Sequence, residues 1–330
     1  MKFSLIVPVY NRADEVKALL ESLANQDDKG FQCIIVEDGS SEPCENVCKE
    51  FEDRLELNYF YKENEGRSIA RNYGMARADG DYFVFVDSDC VLPPDYFSSL
   101  RKSLQQTAAN CYGGPDAAHE SFSPLQKAIN FAMTSFLTTG GIRGGKVQLE
   151  KFVPRTFNMG FSKEVYEKVG GFREMFSEDI DMSTRIRQAG FKPVLLRDVK
   201  VYHKRRVNLK KFWRQVHVFG MSRITLQLLY PGSMKLVHTL PALFVIFSLG
   251  MIIGSIFWVL ALVPLLLYIL ILFVTASISM KSVRLGALAV VASIIQLWGY
   301  GTGFIRAYVW TILLRHGRNE AQEVEMRRGK

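Results

Sequence analysis

Two aspartates one residue apart, Asp87 and Asp89, follow the apolar run Tyr82-Phe83-Val84-Phe85-Val86, and Pro93-Pro94 stops regular structure soon after. On an extended chain, residues i and i+2 point to the same side, so this spacing would bring two carboxylates together. Hard carboxylate oxygens suit Mg2+ or Mn2+, cations that keep waters and take substrate phosphates as further ligands. A lone D-x-D is more often a solvated turn. Its place after a buried strand favours the metal reading.

Similar polar groups end other apolar runs: Pro8-Val9-Tyr10-Asn11 after "KFSLIV", and Glu37-Asp38-Gly39-Ser40 after "FQCIIV". The runs read as buried strands. Between them lie helical patterns, one capped by Asn11 with Val16, Leu19, Leu20 and Leu23 on one face, one near 42–53, and one opened by Gly66. "LELNYFYKEN" is a further strand. Strand alternating with helix predicts an α/β domain with a mostly parallel, Rossmann-like sheet. In such sheets ligands bind beyond the carboxyl ends of the strands, where these polar residues fall. Neither G-x-G-x-x-G nor G-x-x-x-x-G-K follows a strand, so phosphates must be held another way.

From Lys235 to Lys281 lie 45 residues without Asp, Glu, Lys or Arg, and Leu285 to Ile305 adds 21 more. A bilayer-spanning helix needs roughly 20 apolar residues, which predicts spans near 236–257, 258–280 and 285–305. Strand patterning already begins at residue 3, so the N-terminal domain is expected to stay in the cytoplasm. Residues 1–198 carry a net charge of −6, whereas 14 Lys and Arg and no acid lie between Asp198 and Glu320. This distribution points to anionic lipid headgroups and away from nucleic acid. The segment 203–234 holds Lys204, Arg205, Arg206, Lys210, Lys211, Arg214 and Arg223, interleaved with Leu209, Phe212, Trp213, Val216 and Phe219. It reads as a basic amphipathic helix at the membrane interface. The expected organisation is a soluble domain over 1–202, this segment, a membrane region over 235–315 and a charged tail over 316–330. Three full spans leave Arg315, Arg318, Arg327 and Arg328 outside, against the positive-inside rule.

Five cysteines, an odd number within the cytoplasmic domain, are expected to be reduced thiols. Four glycines at 140, 141, 144 and 145 suggest a loop able to close over a substrate. The Gly299-x-x-x-Gly303 pair permits close helix packing and, through it, a homo-oligomer.

Taken together, "SLIVPVYNR", "IIVEDGSS", "GRSIARNYGMARADGDYFVFVDSDC", "TFNMGFSKEVYEKVGGF", "SEDIDMSTRIRQAGF" and "VYHKRR" resemble the membrane-anchored family 2 glycosyltransferases of GT-A fold. The resemblance spans residues 3 to 206. It implies an inverting, metal-dependent transfer from a nucleotide-sugar donor, expected to be UDP-linked. Asp38 would hold the nucleobase, with Pro8 and Tyr10 lining its pocket. Arg71 and Asp87 would lie at the nucleotide, and Asp89 and His203 at the metal. Asp179 would be the general base, with Asn158 and Glu178 at the acceptor pocket, although spacing alone leaves Glu178 open as the base. Each has a plainer reading: Asp38 in a turn, Arg71 on a solvated helix face, His203 in a run that only meets lipid. Asp181 and Arg185, at i and i+4, read as a structural ion pair.

Processive relatives carry Q-x-x-R-W in the basic segment, whereas here the order is Trp213-Arg214-Gln215. That departure, with only three spans, favours addition of one sugar to a lipid-linked or envelope-glycan acceptor. A processive polysaccharide synthase and an inactive nucleotide-sugar-binding scaffold are the alternatives. Intact Asp87, Asp89 and Asp179 count against the second.

Overall fold

A computed structural model describes residues 1–117, 122–140, 152–203 and 208–314. Lys204, Arg205, Arg206, the glycines at 141, 144 and 145, and the tail from Arg315 lie outside the described residues. The chain divides into two compact units, Met1–His119 with Phe152–Lys204, and Glu120–Lys151 with Arg205–Lys330. Placement of the stretch after His119 with the second unit has no sequence signal.

The first unit runs β1 (Phe3–Val9), α1 (Ala13–Ala24), β2 (Phe31–Asp38), α2 (Glu45–Lys49), β3 (Leu57–Lys62), α3 (Arg67–Met75), β4 (Tyr82–Phe85), β5 (Cys90–Val91), α4 (Tyr96–Thr107), β6 (Cys111–Gly113) and β7 (Asp116–Ala117). The second unit contributes α5 (Pro124–Thr134) and α6 (Phe136–Thr139). The first resumes with β8 (Met159–Ser162), α7 (Lys163–Val169), α8 (Glu178–Gln188), β9 (Val194–Leu195) and β10 (Val201–His203).

The main sheet has the order β3-β2-β1-β4-β8-β6-β9. The first four strands are parallel, as the alternating pattern predicts, and β8 runs antiparallel to both β4 and β6. β1 and β2 are apolar on both faces because helices cover both. Leu5, Val7 and Val9 of β1 pack with Leu19 of α1 and Leu100 of α4, and Ile6 packs in the layer of Ala70 and Met75 of α3. Truncating one such buried side chain to Ala typically costs about 2–5 kcal/mol. A smaller sheet, β5-β10-β7, closes the domain. All five cysteines are free and buried.

Several elements differ from expectation. α2 is five residues long. β4 stops at Phe85, and the chain turns at Ser88-Asp89, with the Cys90 N–H donating to the Asp87 carbonyl at 3.0 Å. The rule that i and i+2 share a side therefore fails at Asp87 and Asp89, because the backbone between them is not extended. Asn11 is not a helix cap. It sits at φ 53°, receives the Ser41 N–H on Oδ1 at 2.9 Å and ties the loop after β1 to the loop after β2.

In the second unit α9 (Leu209–Leu229), α10 (Leu236–Gly254), α11 (Val263–Ser279) and α12 (Val283–Tyr308) follow α5 and α6. Three stretches are long and apolar enough to cross a membrane: Leu236–Gly254, Val259–Ser279 and Val283–Leu313. α9 is amphipathic only at its start, where Lys210, Lys211 and Arg214 are exposed and Phe212 and Val216 are buried. Arg223, counted from sequence among the basic face, is buried and donates to the Ser233 carbonyl. α12 packs against α9, α5, α10 and α11. The α9–α12 crossing is built from glycine: a Cβ at Gly220 would stand 2.0 Å from the Tyr300 carbonyl oxygen, and one at Gly303 2.0 Å from that of His217. Gly299 and Gly303 thus pack against Val216 and His217 within the unit.

Candidate active site

The carboxyl ends of β1 to β4 share one edge of the sheet, and Asp38, Asp87 and Asp89 there are each held by a base. Asp38 ends β2 in register with Lys62 of β3, whose Nζ donates to Asp38 Oδ1 at 2.8 Å. The Glu65 and Gly66 N–H groups donate to the same carboxylate at 3.0 and 2.8 Å. Burial works to lower the pKa of Lys62, but its bonds to Asp38 and Glu65 outweigh it and leave it above its ordinary value. Gly39, at φ 71°, is required: a Cβ would lie 2.5 Å from the Asn64 backbone nitrogen. Three of the roughly four lone-pair positions of the Asp38 carboxylate are thus taken by Lys62 and the loop that follows β3.

Tyr10 presents 49% of its surface and Pro8 is half-buried at the end of β1, so the expected pocket wall is accessible. Arg12 follows. Its Nη1 donates to Asp89 Oδ2 at 2.6 Å and lies 3.4 Å from Glu15. Burial works to lower its pKa, but the charges of Asp89, Glu15 and Asp87 prevail and leave it above its ordinary value.

Arg71 is not on a solvated face. It is 1% exposed, with Nη2 2.8 Å from Asp87 Oδ1 and Nη1 2.9 Å from Glu178 Oε1. Arg67, one turn earlier on α3, places Nε 2.8 Å from Glu178 Oε1 and Nη2 2.8 Å from Oε2. The Glu178 charge is the main reason that the Arg67 pKa is raised, against the opposing effect of burial. Glu178 itself is 2% exposed. The expected acceptor-site acid is therefore closed in by two guanidiniums, and a buried charge so paired is costly to expose or unpair. Asp179, the next residue, is half-buried and faces elsewhere, since neighbours on a helix do not share a face. Its Oδ2 lies 3.3 Å from Arg155 Nη1, and its Oδ1 accepts the Ile180 N–H at 2.8 Å. Ser177 precedes them in the left-handed region at φ 63°. The i, i+4 pair Asp181–Arg185 is present at 2.9 Å, and Asp181 also meets Arg173 at 3.2 Å.

Asn158 has a different place from the one expected. It is fully buried, accepts the Tyr96 hydroxyl at 2.8 Å and donates to the Val199 carbonyl at 2.8 Å, so it ties core segments together and is shut off from solvent. His203 ends β10 opposite Cys90 of β5, which brings its backbone beside the residue after Asp89. The structure thus links Asp87, Arg71 and Glu178 directly, leaves Asp179 beside them in the chain, and puts Pro8, Tyr10 and Asp38 on the same edge.

Among the described residues no group of three or more His, Cys, Asp and Glu could hold a metal ion. The donor chemistry at Asp87 and Asp89 still fits one. Two hard carboxylates within a turn match Mg2+ or Mn2+, which fill most positions with water and phosphate. Arg12, Lys62, Arg67 and Arg155 have no place in the sequence expectations. Arg67 has a signal, Arg-x-x-x-Arg with Arg71 on one helix face. The other three reach their site acids Asp89, Asp38 and Asp179 across separations of 77, 24 and 24 residues, which no local pattern records.

The profile described as "Glycosyl transferase family 2" matches residues 4–170. Glycosyltransferase GlyA of Streptococcus pneumoniae is 36% identical over 110 residues, 33% of this chain and 16% of its own length. Putative glycosyltransferase EpsH of Bacillus subtilis is 34% identical over 103 residues, 30% of this chain and 29% of its own. The chain thus spans 16% and 29% of the length of these relatives. Among solved structures, a mannosyltransferase from Pyrobaculum calidifontis, in complex with GDP-Man and Mn2+, has a TM-score of 0.58 at 16% identity, covering 96% of this chain and 88% of that one. That likeness concerns the fold, a GT-A domain followed by C-terminal helices. With half of its length matched by the family profile, the chain belongs to glycosyl transferase family 2.

Proposed function

We propose that the protein is a membrane-anchored, inverting glycosyltransferase that moves a single sugar from a nucleotide-sugar donor, UDP-linked, to a lipid-linked or envelope-glycan acceptor. The observation that carries this reading is the division of labour between adjacent acids. Glu178 is locked to Arg67 and Arg71 and buried, whereas Asp179 on the same helix turn is only partly buried and has, among the described residues, a single, longer ion pair to Arg155.

In the reaction an acceptor oxygen attacks the anomeric carbon as the bond to the diphosphate breaks. Asp179 takes the acceptor hydroxyl proton, and the nucleoside diphosphate leaves with the bonding electrons. One positioned base contributes typically 10² to 10⁴ in rate, about 3–5 kcal/mol of barrier. Arg155 orients the base. Tyr10 and Pro8 line the nucleobase pocket, and Asp38 shapes that pocket by holding the loop after β3. Asp87 and Asp89 would hold Mg2+ or Mn2+, with His203 a further candidate ligand. Such a cation stabilises charge developing on a leaving diphosphate. Arg71 and Arg12 supply positive charge to the same edge.

The three apolar helices and the exposed Lys210, Lys211 and Arg214 support residence in the cell membrane, with the catalytic domain in the cytoplasm and anionic lipids against the basic turn. The GDP-Man and Mn2+ of the Pyrobaculum calidifontis complex lend support to a nucleotide-sugar and a divalent cation here. Screening the full-length protein with UDP-, GDP- and dTDP-sugars for metal-dependent nucleotide release tests the donor. Anomeric NMR of the product tests inversion. Nucleotide release in excess chelator at the full rate refutes the metal, and a retained anomeric configuration refutes the base mechanism.

A further inference from the structure

Arg71 touches both sides of the proposed reaction centre. One arm of its guanidinium sits on Asp87, at the edge assigned to the donor, and the other sits on Glu178, in the turn that carries Asp179. A planar guanidinium holds two such partners in fixed relative geometry. Arg67 grips Glu178 with a second pair of nitrogens and lies 5.1 Å over the Phe176 ring, so the start of α8 is fastened to α3. The backbone in front is unusual. Ser177 is one of four non-glycine residues with positive φ among those described, and such conformations persist where surrounding contacts over-determine them. For the core alone a buried ion pair is a poor choice, since an apolar side chain of similar volume often serves stability as well. A rigid connection is what the charge adds.

We infer that Glu178 is a positioning residue: clamped by Arg67 and Arg71, it sets where Asp179 stands relative to Asp87, and so couples the donor side to the base. The inference rests on the role of Asp179 proposed above. A base held about 1 Å out of place can cost about 10²-fold in rate, while donor contacts are left as they were.

The test is a double-mutant cycle on the full-length protein, reading sugar transfer, donor KM and calorimetric affinity for the nucleoside diphosphate. Glu178→Gln is expected to lower kcat by about 10- to 100-fold with KM and nucleotide affinity changed less than about threefold. In an Asp179→Asn background it is expected to cost nothing further, because a residue acting only through the base has nothing left to position. Arg67→Gln loosens the same clamp from the solvent side. It is expected to show a smaller loss with the same non-additivity, and it carries the test if Glu178→Gln fails to fold. Multiplying losses, or a fall in nucleotide affinity alongside kcat, would overturn the positioning role and leave the base reading intact. Near-normal transfer by Asp179→Asn alone would instead sink the base reading, and the positioning role with it.

Discussion

At the carboxyl edge of the sheet, Asp38, Asp87, Asp89 and Glu178 meet Lys62, Arg71, Arg12 and Arg71 again at 2.8, 2.8, 2.6 and 2.9 Å. Where α9 crosses α12, the corresponding contacts are uncharged and involve backbone, with Gly220 against Tyr300 and Gly303 against His217. Both regions have fixed geometry, but they differ in what they can give up. A carboxylate can leave a guanidinium for a cation, and the guanidinium can move to a phosphate, at little net change in pairing. A glycine packed on a carbonyl has no second partner. The first arrangement suits a site that fills and empties, and the second suits a scaffold that should not move.

The largest effect should come from removing the exchangeable acids. Asp87→Ala or Asp89→Ala is expected to bring donor turnover to background and weaken nucleotide binding, with circular dichroism unchanged. The fold should survive because Arg71 keeps Glu178 and Arg12 keeps Glu15. Loss of the folded spectrum would show that these pairs are structural, and the contrast between the regions would fail.

Asp179→Asn comes next, with transfer expected to drop about 10² to 10⁴-fold and nucleotide affinity nearly unchanged. A buried pair outside the exchange set should behave differently. Asp181→Asn strips the buried partner of Arg173 and Arg185, and is expected to cost about 3–5 kcal/mol of stability in denaturant unfolding. Gly220→Ala should destabilise the helical unit by about 1–3 kcal/mol, read as thermal unfolding in detergent, without altering nucleotide affinity. If the alanine is neutral, the crossing is looser than a 2.0 Å approach to a carbonyl allows. Arg155→Gln should be mildest, a severalfold loss of transfer and under about 1 kcal/mol of stability, because the pair is partly exposed and 3.3 Å long.

The strands and their order along the chain were legible because β1, β2 and β4 are apolar runs ended by polar residues. Insertion of antiparallel β8 beside β4 was not, since Met159-Gly160-Phe161-Ser162 looks like any short half-apolar stretch. The acids were found by their position after strands. Their partners were missed because charge pairing at separations of 16 to 111 residues follows from the fold and leaves no local trace. Asn11 and Asn158 show the same limit in reverse. Each has a residue type suited to a local role, and each is spent on a distant hydrogen bond. In α9 the basic pattern was read one helix-half too far, because Arg223 finds a carbonyl where the pattern assumed solvent.

The buried cysteines bear on how the molecule can be interrogated. Burial raises the pKa of the Cys33 and Cys90 thiols and takes that of Cys111 up to about 12, so these groups stay protonated near neutrality. Thiolate is the reactive form, and all five sulfurs are enclosed. The native chain should therefore be almost silent toward maleimides. A single cysteine placed at Glu320 would then report, against a blank background, which face of the bilayer the C-terminal tail occupies.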